Sequence, residues 1–259
     1  MGNIDYLFDD NTKSLKYNPD YSVAQANELV RSKQDDLTLL EAKLIRLAIS
    51  QILKDDTDLK TYECSVIDLA NYLNVETEYI YTEIQKVAKT LMSKSIFIKD
   101  NTNQTNGKYN YKIFHWIDYF EYYNGTITIK LSDSLKPYLI GLDKFFTLYG
   151  LSSVIALPTN YSIRFYELMM SFYNYKSNIT DYKGIKLYKG EFLLSIDYLR
   201  EYFNCNDKYP NTSDFIKRVI ESSISYVELK SLVNISFRPI TKGRKIIALV
   251  FKIHHTQDK

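Results

Sequence analysis

Residues that could perform catalysis are sparse in this chain and lack the spacing that enzymes need. The eight glycines form neither a G-x-x-x-x-G-K-[ST] phosphate loop nor a G-x-G-x-x-G dinucleotide loop, which argues against a nucleotide-driven enzyme. A nickase with a tyrosine nucleophile would need clustered histidines for a metal ion, and the three histidines are His115, His254 and His255. The last two are adjacent in a predicted strand, so their side chains would point apart. We therefore predict no catalytic residue, no metal site and no cofactor.

Basic side chains towards the C-terminal end have the types that contact DNA. Lys217 and Arg218 lie about one turn into a predicted helix, where arginine can donate two hydrogen bonds to guanine and lysine can reach a base or a phosphate. Residues 211–259 carry 9 Lys/Arg against 4 Asp/Glu, whereas residues 1–60 carry 8 against 11. A localised positive region is typical of a polyanion-binding face, with a solvated surface of mixed charge as the alternative.

The candidate DNA-binding residues form three groups. The first surrounds the start of that helix, the second is the tip of a predicted basic wing, and the third lies on an earlier helix, where it would contact phosphates. In that order they are Asn211, Thr212, Ser213, Asp214, Lys217 and Arg218; Lys242, Arg244 and Lys245; and Lys86 and Lys89. An ordinary charged helix face remains the alternative for both helices.

A sequence pattern that occurs twice, 130 positions apart, indicates which elements position these side chains. Each copy precedes a predicted amphipathic helix, and a short helix followed by a longer one is how a helix-turn-helix presents a helix to the DNA major groove. The copies are Ser65, Val66, Leu69, Tyr72, Leu73, Asn74 and Val75, and Ser195, Ile196, Leu199, Tyr202, Phe203, Asn204 and Cys205. The pattern therefore predicts a tandem duplication.

The first predicted unit has the element order of a winged helix. Thr38 and Glu41 have the spacing of a capping box, and apolar residues follow at helical intervals. The predicted helices cover 38–53, 65–73 and 77–92. Alternating apolar residues then predict a wing of two strands, 96–98 and 109–117, joined by a loop over 101–108 and enlarged by strands at 119–123 and 126–131.

The second predicted unit repeats this order and ends in a more basic wing. Its predicted helices cover 159–176, 196–203 and a segment capped by Thr212 or Ser213. A loop over 177–190 and strands at 192–194, 233–238 and 245–252 complete it, and the last two strands flank a turn over 241–244. Residues 132–157 contain no Pro/Gly/Ser-rich linker, so we predict a packed junction between the units.

The fold class that follows is α+β, with two tandem winged-helix domains related by internal duplication. We place a flexible leader at 1–26, the first domain at 27–150 and the second at 151–259. Cys64 and Cys205 occupy related places in the repeats, and we interpret them as unpaired core thiols, with a disulfide or metal role as the alternative. No long apolar stretch or signal peptide is present, which predicts a cytoplasmic protein without a membrane partner.

Several stretches resemble the plasmid replication initiators of the Rep_3 (RepB/RepE-like) type. The most specific is Leu157 to Leu168, L-P-T-N-Y-S-I-R-F-Y-E-L. The others are Asn27 to Val30 before the helix that starts near Leu37, Asp214-Phe215 leading into Lys217-Arg218, and Lys242-Gly243-Arg244 in the last wing. The resemblance covers roughly residues 27–255, and the order and spacing of these stretches carry it.

This resemblance implies an initiator that binds repeated double-stranded DNA sites, called iterons, at a plasmid origin, helps to open the adjacent duplex and recruits the host replication initiator and helicase. It implies a monomer–dimer equilibrium in which dimers bind an operator-like inverted repeat and repress the protein's own gene. The first domain would carry dimerisation and backbone contacts, and the second would carry sequence-specific binding. The alternatives are a winged-helix transcriptional repressor without initiator activity and a tyrosine nickase.

Overall fold

The computed structural model describes residues 12–105, 108–173, 180–182 and 184–255. They form two winged-helix domains with mixed helix and strand content, as the sequence predicts. No helix in these ranges is both long and apolar enough to cross a bilayer. One continuous apolar core, from Leu15 to Phe251, runs through both units.

The first unit places its helices against a four-stranded sheet. Its helices are α1 (Asn27–Val30), α2 (Leu39–Ile49), α3 (Val66–Leu73) and α4 (Thr77–Leu91). Its strands are β1 (Thr12–Ser14), β2 (Ser22–Ala26), β3 (Lys33–Gln34), β4 (Thr61–Ser65), β5 (Ser95–Thr105), β6 (Lys108–His115), β7 (Ile117–Tyr123) and β8 (Thr126–Leu131). Thr38 caps α2 in the predicted capping box, and the helix ends at Ile49 rather than near residue 53.

A short connection leads into the second unit. It contains a 3₁₀ turn (Asp133–Leu135), α5 (Lys136–Leu139), β9 (Phe146–Gly150) and α6 (Leu151–Ile155). The second unit has α7 (Asn160–Met170), α8 (Ile196–Tyr202), α9 (Thr212–Phe215), a π-helical segment (Ile216–Glu221) and α10 (Ser222–Lys230). Its strands are β10 (Thr180–Tyr182), β11 (Ile185–Leu187), β12 (Glu191–Ser195), β13 (Val233–Lys242) and β14 (Lys245–His255).

The repeated sequence pattern has the same local structure in both copies. Ser65 and Ser195 cap α3 and α8, accepting hydrogen bonds from the third residue after them at 3.0 and 3.1 Å. Asn74 and Asn204 follow these helices with φ of 52° and 49°, a left-handed conformation that asparagine tolerates better than most residues. The duplication predicted from sequence is therefore present in the backbone.

The wing of the first unit is not the hairpin that the sequence predicted. The strand order is β1-β4-β8-β7 in the sheet of the first unit and β12-β14-β13 in the sheet of the second. Strands β4 and β12 each lead into a helix-turn-helix, and each pairs with the second strand of a hairpin, β8 or β14. The hairpin β7–β8 is therefore the counterpart of the hairpin β13–β14. Strands β5 and β6, predicted as the wing, form a separate sheet in which β5 pairs with both β3 and β6, and they are an insertion between α4 and the wing. Alternating apolar residues predict a hairpin but do not specify the sheet that it joins.

Most of the predicted flexible leader belongs to the folded domain. Strand β1 pairs in parallel with β4, Leu15 is 1% exposed, and β2 pairs antiparallel with β9. Residues 1–11 lie outside the described residues. Strands of three and five residues are too short to show a sequence period, and their partners lie far along the chain. The prediction was therefore wrong for residues 12–26.

Four predicted boundaries also differ from the structure. The loop predicted at 101–108 is largely strand, because β5 continues to Thr105, which pairs with Lys108. The helix predicted to reach 176 ends at Met170, and the loop predicted over 177–190 contains the β10–β11 hairpin. Residues 174–176 of that helix, and 177–179 and 183 of that loop, lie outside the described residues. The N-cap position of α9 is Asn211 rather than Thr212 or Ser213, and the Asn211 side chain makes no capping hydrogen bond to the backbone.

Both cysteines are buried free thiols, as predicted. They do not occupy equivalent positions, because Cys64 lies in β4 before α3 and Cys205 follows α8. Burial raises the pKa of both thiols above the ordinary value. Within the described residues, no group of three or more His, Cys, Asp or Glu side chains could hold a metal ion.

The junction between the units is packed, as the absence of a linker predicts. Arg164 on α7 donates a hydrogen bond to the carbonyl of Ser32 at 2.8 Å. The Tyr198 hydroxyl donates to the carbonyl of Arg31 at 3.1 Å. These hydrogen bonds join side chains of the second unit to the backbone of the first.

Candidate nucleic-acid interface

Together, α9, the π-helical segment and α10 form the recognition helix of the second unit, which exposes both cations that the sequence singled out. Lys217 and Arg218 point to solvent, whereas Ile216, Val219 and Ile220 are buried on the opposite face. In the part of the chain that the structure describes, neither cation forms an ion pair. Two unneutralised cations on an exposed helix face can contact guanine edges or phosphates without breaking an existing contact.

These two cations lie in a π-helical segment, which the sequence did not predict. Ile216–Glu221 has π-type hydrogen bonding between α9 and α10, with helical φ and ψ at both of its ends. Widened turns of this kind occur frequently at functional sites. Even so, the predicted apolar stripe of Ile216, Val219 and Ile220 is buried and leaves Lys217 and Arg218 on the exposed side.

The start of the recognition helix carries the other predicted contacts. Asn211 is the N-cap residue, and its side-chain amide donates to Asp214 at 3.3 Å. Asn211, Ser213 and Asp214 are exposed, and Thr212 is half-buried. Short polar side chains at this end of a recognition helix can contact base edges, and a carboxylate can accept from the cytosine amino group.

Arg200, which sequence reasoning missed, holds the turn before the recognition helix. Its guanidinium donates to the carbonyls of Cys205, Lys208 and Tyr209 at 2.9, 3.0 and 2.8 Å. It also lies 4.8 Å from the centre of the Phe215 ring. The turn between the C-cap residue Phe203 and the N-cap residue Asn211 is longer than the turn between Asn74 and Glu76 after α3.

Replacing Arg200 by alanine is expected to speed hydrogen exchange at the amides of residues 205–209 and to weaken specific DNA binding. Three carbonyls would lose a charged donor, which lowers the free energy of unfolding by about 1–3 kcal/mol. Arg238→Ala is the matched control, because Arg238 pairs with Glu191 at 2.9 Å on the sheet. Equal exchange rates at these amides in the Arg200 variant and the wild type would show that Arg200 does not stabilise the turn.

The wing of the second unit has a basic tip. Lys242, Arg244 and Lys245 are exposed, and Gly243 has a φ of 62° that permits the tight turn. Lys242 lies directly opposite Lys245, and like charges at such positions repel each other. None of the three forms an ion pair within the described ranges. A phosphate group would relieve this repulsion, so the tip is suited to contact the DNA backbone.

The first unit presents a milder surface. Lys86 and Lys89 are exposed on α4, and Lys86 lies 3.4 Å from Glu83. Its short wing ends in the uncharged turn Asn124-Gly125, and the Gly125 carbonyl accepts from the amide of Val66 at 2.8 Å. The basic wing tip and the exposed pair Lys217 and Arg218 therefore both belong to the second unit.

Comparisons with known proteins agree with this architecture. In sequence, the chain is 24% identical over 236 residues to a replication initiation protein of Escherichia coli, a match covering 89% of this chain and 69% of that protein. It is 24% identical over 231 residues to the PI protein of Escherichia coli, covering 77% and 71%. The crystal structure of Pi initiator protein in complex with iteron DNA shares the fold, with a TM-score of 0.66, 19% identity and coverage of 92% and 98%.

Two family models match separate parts of the chain. One, described as initiator replication protein, WH1, matches residues 22–170. The other, described as initiator Rep protein, WH2, matches residues 195–253. The first match alone spans more than half of the chain and includes α7, which the structure packs against both units. The chain therefore belongs to the family of plasmid replication initiator proteins built from two winged-helix domains, WH1 and WH2.

Proposed function

We propose that the chain initiates plasmid replication by binding iterons, repeated double-stranded DNA sites, at the origin. The observation that carries this proposal is the pair Lys217 and Arg218, which are exposed and, among the described residues, form no ion pair, on a recognition helix that leads into a basic wing. Membership of the initiator family supports it, as does the shared fold with an initiator solved on iteron DNA.

In this proposal the second unit provides sequence specificity. The recognition helix lies in the major groove, where Arg218 donates a two-pronged pair of hydrogen bonds to guanine and Lys217 contacts a base or a phosphate. The wing tip contacts phosphates beside the groove. These cations release condensed counterions, so binding should weaken steeply as salt rises.

The first unit adds backbone contacts and self-association. Lys86 and Lys89 lie on the recognition helix of that unit and would contact phosphates in a neighbouring groove. Monomers would bind iterons, and dimers formed through the first unit would bind an inverted repeat and repress the protein's own gene. The domain division at residue 150 belongs to this proposal.

Origin opening would draw on binding energy. The sequence has no phosphate-loop motif, so melting of the AT-rich duplex would follow from DNA deformation and from contacts made by several bound copies. The opened DNA would then be passed to the host replication initiator and helicase. Initiation and simple repression differ at this step, since both need the DNA contacts and only initiation exposes unpaired bases.

Permanganate footprinting on supercoiled DNA that carries the gene and its flanks tests the proposal. The expected result is protein-dependent reactivity of thymines in an AT-rich segment beside the bound repeats. Specific binding without thymine reactivity would favour the repressor, and strand cleavage with Mg²⁺ or Mn²⁺ would favour the nickase. Either outcome would overturn initiation by duplex opening.

Removing the wing cations should weaken binding to every duplex by a similar factor. We expect Lys242→Ala with Arg244→Ala to reduce the slope of log affinity against log salt by about one unit for each lost phosphate contact. Lys252→Ala is the control, because it removes a cation from the same strand at the end away from the tip. A salt dependence that stays unchanged in the wing variant would exclude the backbone contact.

A further inference from the structure

The internal repeat extends beyond the helix-turn-helix pattern to the start of each unit. Strand β2, α1 and the capped helix α2 are followed, one repeat later, by β9, α6 and the capped helix α7. Thr38 caps α2 and Thr159 caps α7, each in a capping box. The eighth residue after the cap is Arg46 in α2 and Glu167 in α7. Equivalent positions of the two repeats therefore carry opposite charges.

These two residues meet in the protein interior. Arg46 Nε donates to Glu167 Oε1 at 2.9 Å, and Arg46 Nη2 donates to Oε2 at 2.8 Å. Their side chains are 0% and 1% exposed. Gln25 donates to Glu167 Oε1 at 3.0 Å, and the Tyr149 hydroxyl donates to the same oxygen. Gln25 and Tyr149 come from the paired strands β2 and β9, so both repeats contribute equally to the cluster.

The pair is ionised in the folded protein. Burial alone would raise the pKa of Glu167, but the charge and hydrogen bonds of Arg46, together with the hydrogen bond from Tyr149, hold it below the ordinary value. A two-pronged guanidinium–carboxylate contact has one favoured geometry, whereas an apolar contact of the same area tolerates sliding and rotation. The contact can therefore fix an angle between α2 and α7.

That angle is coupled to the two recognition helices. Helix α2 packs against α3 and α4, and the Thr90 hydroxyl on α4 donates to Glu41 on α2. Helix α7 packs against the π-helical segment and α10. A change in the angle between α2 and α7 would therefore also move α4 relative to the segment that carries Lys217 and Arg218.

We propose that the Arg46–Glu167 pair sets the spacing between the two half-sites that the chain accepts in DNA. The proposal rests on the proposed binding of DNA by both units. One extra base pair moves a half-site by about 3.4 Å along the duplex and rotates it by roughly 35°. If the angle between the recognition helices is fixed, they cannot both reach their half-sites after this movement. If the angle can vary, they can.

The test uses the full chain with Arg46→Met and Glu167→Leu together. Apolar residues of similar volume often replace a buried ion pair without loss of stability, so the variant is expected to fold. The control is Lys99→Met with Glu201→Leu, which removes a half-exposed ion pair of 3.4 Å that also joins the two units. Arg46→Leu with Glu167→Met, which also leaves no buried charge, provides a second variant should the first one not fold.

The first readout is binding to a duplex that the wild-type protein selects from a random-sequence library. One base pair is then added or removed between the two protected halves. The wild type and the control should lose affinity about ten-fold or more, as for the loss of one or two base contacts. The variant with Arg46→Met and Glu167→Leu, called the apolar variant, should lose affinity by less than about three-fold. An unchanged spacing preference in the variant would overturn the proposal.

The second readout needs no DNA. Spin labels at Gln85→Cys on α4 and Ser225→Cys on α10, both exposed, report the distance between the helices, and the native cysteines are buried. The wild type should give one narrow distance distribution and the apolar variant a broad one. Equal widths would show that the Arg46–Glu167 pair does not fix the angle between the helices. If the wild type selects no spaced site, the proposed function fails, while the label distances still decide the role of the pair.

Discussion

Replacing Lys217 and Arg218 together by alanine is expected to abolish sequence-specific DNA binding while the fold is retained. Both side chains are exposed on the recognition helix, and the apolar face opposite them stays intact. A two-pronged arginine–guanine contact contributes about 1–3 kcal/mol of discrimination, so losing it together with the lysine should cost at least roughly 100-fold in specific affinity. Competition binding against random-sequence duplex measures the loss, and the melting temperature reports the fold.

The matched control removes two cations from the other recognition helix. Lys86→Ala with Lys89→Ala changes the net charge by the same amount, but we expect it to weaken specific and non-specific binding by a similar factor. Undiminished specific affinity in the Lys217/Arg218 variant would refute the assigned contact. If both variants change the ratio of specific to non-specific affinity equally, the second unit does not provide the sequence specificity on its own.

Replacing Glu167 alone by leucine should destabilise the protein more than any surface substitution. Arg46 would remain fully buried without its counter-charge, which costs about 3–5 kcal/mol of unfolding free energy. For a chain of this size the melting temperature should fall by roughly 6–20 °C. Urea or thermal unfolding measures the change. The Arg46→Met/Glu167→Leu double variant should recover most of it, and a single-variant loss below about 1 kcal/mol would contradict the buried pair.

The same pair predicts how stability depends on pH. Because the folded-state pKa of Glu167 lies below the ordinary value of 4.5, its contribution is complete above about pH 4.5 and is lost as the pH falls through the folded value. The double apolar variant should therefore lose less stability on acidification than the wild type. Parallel stability curves between pH 6 and 3 would contradict ionisation of this carboxyl.

Local signals in the sequence were sufficient for the helix-turn-helix elements. Ser65 and Ser195 are caps because a hydroxyl satisfies a free amide at a helix start, and Asn74 and Asn204 accept the left-handed turn that follows. The exposure of Lys217 could be predicted in the same way, from an apolar stripe on the opposite face. These features depend on neighbours within a few residues.

Features that depend on distant partners could not be predicted. The β5–β6 hairpin has the alternation of a wing, yet its sheet is decided by pairing with β3, some 60 residues earlier. Strand β1 is ordered by a parallel partner at Thr61–Ser65. Glu167 occupies an ordinary place in an amphipathic helix, and its role is visible only once Arg46, 121 positions away, lies beside it. The π-helical segment likewise has no sequence period of its own.

DNase I footprinting of the purified protein on the DNA that flanks its gene tests the central claim most directly. If the second unit binds iterons and the first contacts the neighbouring DNA phosphates, the protein should protect a tandem array of direct repeats, each about two helical turns long. The Lys217→Ala/Arg218→Ala variant should protect none of them. Protection confined to one inverted repeat over the gene's promoter, or no sequence-specific protection, would contradict the account.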